Sequence, residues 1–302
     1  MIRGIKLLGF LGVLLLSTVL FGCGMDVAQP SSQAATGSQK GMTIKILNVG
    51  QGDAILFQTE EQNVLVDTSD VDERDKLREE LRKAGVERLD KVILTHPHAD
   101  HIGGMDLLLK EFSVKQVYDN GMPSNSKVWQ SYMKKLKAQG IPRQGLKEGD
   151  VLDFGKGAAF RVMSPTAETV ASGQEKGYKH DPNNESVAGK LVYGNFSMFL
   201  TGDVEKDTES EMVKRYGKEL ESRILKSPHH GSKTSSSAQF LRAVRPEVAV
   251  ISVGAGNDYG HPHQLTLDKY AKVNCKVYRT DLNGTITIVT DGTAYEIGVE
   301  RE

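Results

Sequence analysis

The chain has 302 residues, 38% hydrophobic and 25% charged, enough for one large domain or two modest ones with a true core. Its formal net charge of −1 excludes a global positive field that would draw in nucleic acid or an anionic membrane; a polyanion would have to bind at a local patch or at a metal. Two cysteines, Cys23 and Cys275, far apart in the chain, exclude a disulfide framework.

The first residues have the order of a targeting segment. Arg3 and Lys6 form a basic start, GFLGVLLLSTVLFG (9–22) is an apolar run shorter than the ~20 residues of a spanning helix, and small Gly22 precedes Cys23. L-F-G-C (20–23) resembles the lipobox of bacterial lipoproteins. That resemblance implies cleavage before Cys23, lipid on its sulfur, and attachment to the membrane outside the cytoplasm. An ordinary secretory signal or a single membrane anchor is the alternative, and each gives the same side of the membrane. Removing 1–22 takes away Arg3 and Lys6, so −1 becomes −3. Residues 24–41 are small, polar and aperiodic. The expected plan is a signal peptide (1–22), a flexible tether (23–41) and a folded domain (42–302).

Within that domain, residues 42–59 read as two strands around a Gly-rich turn, and 63–66 (NVLV) as a strand ending at Asp67. Leu77 and Leu81 at helical spacing predict a helix over 72–84. A buried strand at 91–94 leads into THPHADHIGG (95–104), followed by a helix to 111, a strand at 114–118 and a helix at 128–139. Strands are predicted at 160–164, 186–192, 197–200, 224–226, 248–253 and 275–279, helices at 207–216 and 238–244, and a hairpin closes the chain with Gly284 and Asp291-Gly292 at turns. Strands alternating with helices in both halves predict one α/β domain of layered sheets.

THPHADHIGG holds three of the eight histidines. In an extended loop the side chains of His96 and His98 share a side and can meet one ion; Asp100 and His101 then turn toward a second point at the head of the next helix. Imidazole nitrogen and carboxylate oxygen are zinc-type or manganese-type ligands. Gly103 and Gly104 allow a tight turn behind them. A solvated or capping loop would explain one histidine, but hardly three with an aspartate at the end of a buried strand.

H-x-H-x-D-H after an apolar strand resembles the signature of the metallo-β-lactamase superfamily, with its other landmarks in order: Asp67 after NVLV, Asp203 in FLTGD (199–203), and His229 and His230 in SPHHGS (227–232). The resemblance implies a single-domain four-layer αββα sandwich, with Asp67 supporting the metal loop, Asp203 bridging, His229 or His230 as the last ligand, and two divalent ions, zinc or manganese. VGQGDA (49–54), NNESV (183–187), HHGSKTS (229–235), YGHPH (259–263) and TDLNGTI (280–286) further resemble one branch. That branch is the extracytoplasmic domain of the DNA-uptake channel proteins of competent bacteria (ComEC/Rec2 type). A lipobox and tether here take the place of the channel. The fold's usual further histidine between H-x-H-x-D-H and Asp203 is matched only by His180, in an Asn-rich stretch, which implies a weaker first site on His96 and His98.

A bound divalent ion lowers the pKa of water from ~15.7 toward ~7, and two ions can clamp an in-line displacement, which suits phosphodiester hydrolysis. The same chemistry attacks the carbonyl of a lactone or β-lactam. Lys233, Thr234 and Ser235 to Ser237 either steady a phosphate or cap the helix from residue 238. His261 and His263, flanking Pro262, either protonate a leaving oxygen or make a structural turn. Asn183 and Asn184 line the pocket or make a turn. Tyr118, Trp129, Tyr132 and Tyr193 are read as core rather than base-stacking platforms, and Cys275 as a small half-buried hydrophobe.

The expectation is an extracytoplasmic metal-dependent phosphodiesterase or nuclease, its substrate a phosphodiester such as DNA. His96, His98, Asp100, His101, Asp203 and His229, with His230 in reserve, hold the metals. Asp100 orients the attacking hydroxide, Lys233 steadies the phosphate, and His261 or His263 assists the leaving group. The alternatives are a carbonyl hydrolase and a non-catalytic lipoprotein that binds DNA or a partner.

Overall fold

The computed structural model describes residues 41–302; the signal-peptide, Cys23 and tether readings lie outside the described residues, save for Gly41. Two sheets dominate. The eight-stranded sheet runs Tyr295–Val299, Ile286–Thr290, Met42–Ile46, Ile55–Gln58, Asn63–Val66, Lys91–Ile93, Val117–Asp119, Arg143–Gly145. The seven-stranded sheet runs Lys276–Arg279, Val248–Ile251, Ile224–Lys226, Phe196–Leu200, Ala188–Tyr193, Ala158–Ser164, Val151–Gly155. In each, hairpin-linked antiparallel strands give way to parallel ones. Val64 pairs in parallel with Lys91 and Val92 with Val117; Met198 pairs in parallel with Ile224, and Ile224 with Val248.

Strand pleat sorts the side chains into three apolar layers. Ile44, Ile46 and Phe57 of the first sheet meet Phe160, Leu191 and Val250 of the second in a core between the sheets. The opposite face of the first sheet (Leu56, Leu65, Val92) is covered by Leu77 and Leu81 of helix Arg74–Lys83, Leu108 of Met105–Glu111, and Tyr132 and Leu136 of Lys127–Gln139. The outer face of the second (Phe199, Leu225, Ala249) is covered by Met212 of Lys206–Tyr216, Phe240 and Leu241 of Ala238–Val244, and Tyr270 of Gln264–Lys272. This is the expected α/β four-layer αββα sandwich in a single domain. No helix among the described residues is long and apolar enough to cross a membrane.

Tyr118 and Tyr132 are buried in these layers, and Trp129 and Tyr193 pack against them, so the core reading of the aromatics holds. Cys275 is buried in the third layer, where desolvation pushes its thiol up to about 12. The predicted strand at 114–118 is two short ones, Ser113–Val114 and Val117–Asp119, and the strand predicted to reach 253 ends at Ile251.

Phe57 lies between the sheets with its ring edge-on to Phe154 at 5.1 Å. Phe57→Ala is expected to cost ~3–5 kcal/mol of unfolding free energy in a urea titration. A loss below ~1 kcal/mol would show that the sheets do not close on that ring.

Candidate metal centre

The ligand candidates stand at the carboxyl ends of the parallel strands of both sheets, along one edge of the sandwich. Asp67 follows Asn63–Val66, and His96, His98, Asp100 and His101 follow Lys91–Ile93. Asp203 follows Phe196–Leu200, His229 and His230 follow Ile224–Lys226, and the loop with His261 follows Val248–Ile251. Open α/β sheets place binding crevices at such strand ends.

Asp203 is the hub. Its Oδ2 lies 3.3 Å from His101 Nε2, 3.7 Å from His230 Nε2, and 3.9 Å from both His96 Nε2 and His229 Nε2. His230 Nε2 also faces Asp100 Oδ2 at 3.2 Å, and one ligand atom from each of Asp100, His101, Asp203 and His230 falls within 4.8 Å of the others. His96 Nε2 and His98 Nδ1 are 2.9 Å apart, on one side as expected. Asp100 and His101 project from a short helix, Ala99–Ile102, rather than from extended chain.

The nitrogen of each inner histidine that faces away from Asp203 is held. His101 donates from Nδ1 to Asp67 Oδ2 at 2.8 Å, and Asp67 in turn accepts from the Thr95 amide and hydroxyl at 2.7 and 2.8 Å. His230 donates from Nδ1 to the Ser252 carbonyl at 2.9 Å. Such partners fix the tautomer and leave Nε2 for a ligand. His229 and His230 both hold left-handed backbone (φ 51°), as does Asp67 (φ 59°), a strain typical of functional loops. Gly103 and Gly104 make the turn between Ala99–Ile102 and Met105–Glu111, with φ of −61° and −79° that any residue could adopt. They are needed for room: a Cβ would come within 2.2 Å of Val71 N and Thr68 O respectively.

Sequence reasoning missed two residues here. Asp53, in VGQGDA, is buried with Oδ2 2.8 Å from the ammonium of Lys226, itself fully buried. Glu205, two residues past the hub, takes His229 Nδ1 at 3.1 Å. The signal for Asp53 was present, a charged residue inside an otherwise apolar and glycine-rich run; Lys226 looked like an ordinary strand-end lysine.

Asp53 thus pairs with Lys226, while Asp67, Asp100 and Asp203 face the buried imidazoles of His101 and His230. Burial disfavours charge on His101 and His230, but the carboxylates, Asp203 foremost, outweigh it and raise both above the ordinary histidine value. Burial likewise opposes ionisation of Asp203, yet His101 and His230 hold it well below the carboxylate range. His96, desolvated and next to His101, is held well below its ordinary value, and so neutral. His101 Nε2, His230 Nε2 and Asp203 Oδ1 are buried without a hydrogen-bond partner. Converging carboxylates and partnerless imidazole nitrogens fit divalent cations, and the two ligand groupings are compatible with a dinuclear site.

The cleft over the centre, about 380 Å³, is lined by residues including His98, Asp100, Asn183, Asp203, His229, His230, Tyr259 and His261. His230 is buried among the inner ligands, while His229, its Nδ1 turned to Glu205, is partly exposed at the edge with Nε2 3.9 Å from Asp203 Oδ2. Lys233 is exposed and outside the cleft lining, and His263 accepts the Lys233 amide at 3.2 Å at the head of Gln264–Lys272. The neighbouring hydroxyls are spent on structure. Ser237 caps Ala238–Val244, Ser235 donates to the Val204 carbonyl, and Ser236 bonds Tyr270. Of the two readings of that loop, the helix cap is the one seen, and Lys233, the serines and His263 lie outside the cleft lining. His261 does reach the cleft, but burial, then His230, His229 and His263, push it down to about 4, so at pH 7 it is neutral, with one ring N–H to donate in a hydrogen bond and no imidazolium proton to transfer.

Metal must displace the protons on His101 and His230. Both pKa values are raised, so their ion pairs stabilise the metal-free fold below about pH 6.5 and that contribution is lost as pH rises through the raised values. Metal affinity runs the other way and is expected to rise with pH. Titrating metal into the stripped chain in weak buffer at pH 7 should release protons; a titration that releases none would show these imidazoles already neutral.

Among known proteins, the model of the family described as "Metallo-beta-lactamase superfamily" matches residues 47–255. ComE operon protein 3 of Bacillus subtilis (strain 168) is 35% identical over 265 residues, 80% of this chain and 32% of that protein. Competence protein ComA of Neisseria gonorrhoeae is 30% identical over 266 residues, 86% of this chain and 33% of that protein. The chain spans about a third of the length of these curated relatives. The solved metallo-beta-lactamase fold protein YhfI from Bacillus subtilis, 14% identical, covers 79% of this chain and 96% of its own with a TM-score of 0.52, a likeness of fold. The chain belongs to the metallo-beta-lactamase superfamily, its metallohydrolase domain related to those competence proteins.

Proposed function

We propose that this protein is a metal-dependent phosphodiesterase with nuclease activity, anchored by lipid on Cys23 outside the cytoplasm. The observation that carries the reading is the convergence of His96, His98, Asp100, His101, Asp203 and His230 beneath one open cleft. Similarity to competence proteins across most of the domain favours a nucleic-acid phosphodiester over a carbonyl substrate. In this reading His96, His98 and Asp203 hold one ion, and Asp100, His101, Asp203 and His230 the other. The ions supply Lewis acidity toward a phosphoryl oxygen and lower the pKa of water at the centre.

The chain's own groups do the rest. Asp100 keeps 23% of its side chain exposed, faces the cleft, and is ionised, because His101 and His230 outweigh the effect of its burial. It accepts a hydrogen bond from the attacking water and aims it at phosphorus. Neutral His261, at the cleft wall, hydrogen-bonds the leaving oxygen without transferring a proton. His229, tied to Glu205, closes one side of the cleft.

The full chain, stripped and reloaded with Zn²⁺ or Mn²⁺, is expected to cleave a chromogenic phosphodiester and DNA. Asp100→Asn should lower that rate ~10²–10⁴-fold while the chain stays folded by circular dichroism. Turnover confined to a lactone or β-lactam would overturn the reading. Cys23→Ala should move the protein from the detergent phase to the aqueous phase in a cloud-point partition; a variant that stays with detergent would show the anchor to be something other than lipid on that sulfur.

A further inference from the structure

The first ion of a two-ion centre lacks a third imidazole in this chain. His180, the only histidine between His101 and Asp203, is turned elsewhere: its Nδ1 pairs with Glu185 Oε2 at 3.1 Å, in an adjoining cleft with Pro97 and Met122. Another group stands at the centre instead. Among the described residues, buried side-chain atoms with no hydrogen-bond partner include His101 Nε2, His230 Nε2 and Asp203 Oδ1, the atoms that face the centre. Asn183 Oδ1 carries the same signature, and Asn183 lines the same cleft as His98, Asp203 and His229.

Its orientation is fixed from behind. The Asn183 amide donates from Nδ2 to Glu205 Oε1 at 3.2 Å, and reversing it would set oxygen against carboxylate. Glu205 is held in turn by His229 Nδ1 at 3.1 Å and by its own amide, which donates to Asn184 Oδ1 at 3.0 Å. The two asparagines therefore divide the work: Asn184 builds the turn and Asn183 presents a carbonyl oxygen. Leaving that oxygen buried and unmatched is unfavourable. A carboxamide oxygen is a ligand for hard divalent cations.

We propose that Asn183 Oδ1 is a ligand of the first metal ion, together with His96, His98 and Asp203. The assignment rests on the two-ion reading of the centre. A neutral oxygen in place of imidazole makes this the looser of the two sites.

The test is a Mn²⁺ titration of the stripped full chain, with free Mn²⁺ counted by electron paramagnetic resonance. Wild type should take up two ions. Asn183→Ala should keep the tighter ion and lose ~10–100-fold in affinity for the other. Asn183→Asp, which retains an oxygen at that place and adds charge, should bind the second ion at least as tightly as wild type. An Asn183→Ala chain with both affinities unchanged overturns the assignment and leaves the two-ion centre standing, as does a folded Asn183→Asp chain that loses the second ion. Wild type taking up one ion only overturns it as well, and uptake of none overturns the centre along with it.

Discussion

A buried carboxylate ringed by imidazoles is the constraint on which this structure turns. Asp203 is almost wholly removed from water, and burying an ionised carboxylate is tolerable only when positive charge stands beside it. Four histidine nitrogens lie within 3.9 Å of its Oδ2, and they arrive from both sheets. That requirement dictates the architecture of the edge. Parallel strands of the two sheets must end at the same height, and the backbone after each must turn at once. Gly202, at φ 49°, shows how tight the junction is: a Cβ there would come 2.8 Å from that of Thr95 and 2.9 Å from that of Ser186.

Behind the hub, a polar layer holds the ligand-bearing loops in register. Asp53 and Lys226 form an ion pair with both partners buried, an arrangement that is costly if either is removed and that ties the loop after the first strand to a central strand of the other sheet. The backbone of Asp53 donates to the Asp100 carbonyl at 3.0 Å, and that of Thr68 to the His101 carbonyl at 2.6 Å. The short ligand helix is thus gripped by its carbonyls while its side chains point at the cleft. Rigidity of this kind is what a metal centre needs from its scaffold.

Much of this was legible in the sequence, and for a physical reason. Strands with apolar runs such as NVLV and SMFL bury one or both faces, and ligands that must sit together in space fall at their ends in recognisable clusters. The layered α/β class and the histidine cluster followed from that; the αββα arrangement was what the family resemblance implied. What stayed hidden depends on side-chain direction. Nothing in the string HH tells which imidazole points inward; the tandem left-handed backbone of His229 and His230 decides it. Helix Gln264–Lys272 escaped notice because one of its two leucines, Leu265, is 54% exposed while Thr266 and Tyr270 face the core. Sequence left Lys233 and the serines open between a phosphate and a helix cap because proximity to the ligands along the chain does not tell proximity to the cleft; Ser237 caps the helix. Asp53 and Lys226 find each other across most of the domain, a pairing that no local pattern announces.

The distribution of the centre over both sheets has a consequence for the chain as a material object. Asp67 through His101 come from one sheet and Asp203 through His230 from the other, so any ion shared by them is a rivet through the seam of the sandwich. Ligands that bind only the folded state stabilise it in proportion to their concentration over the dissociation constant, by ~2.7 kcal/mol at a hundredfold excess. The lifetime of this protein against proteases would then track the metal content of its surroundings, making it durable where transition metals are plentiful and short-lived where they are scarce.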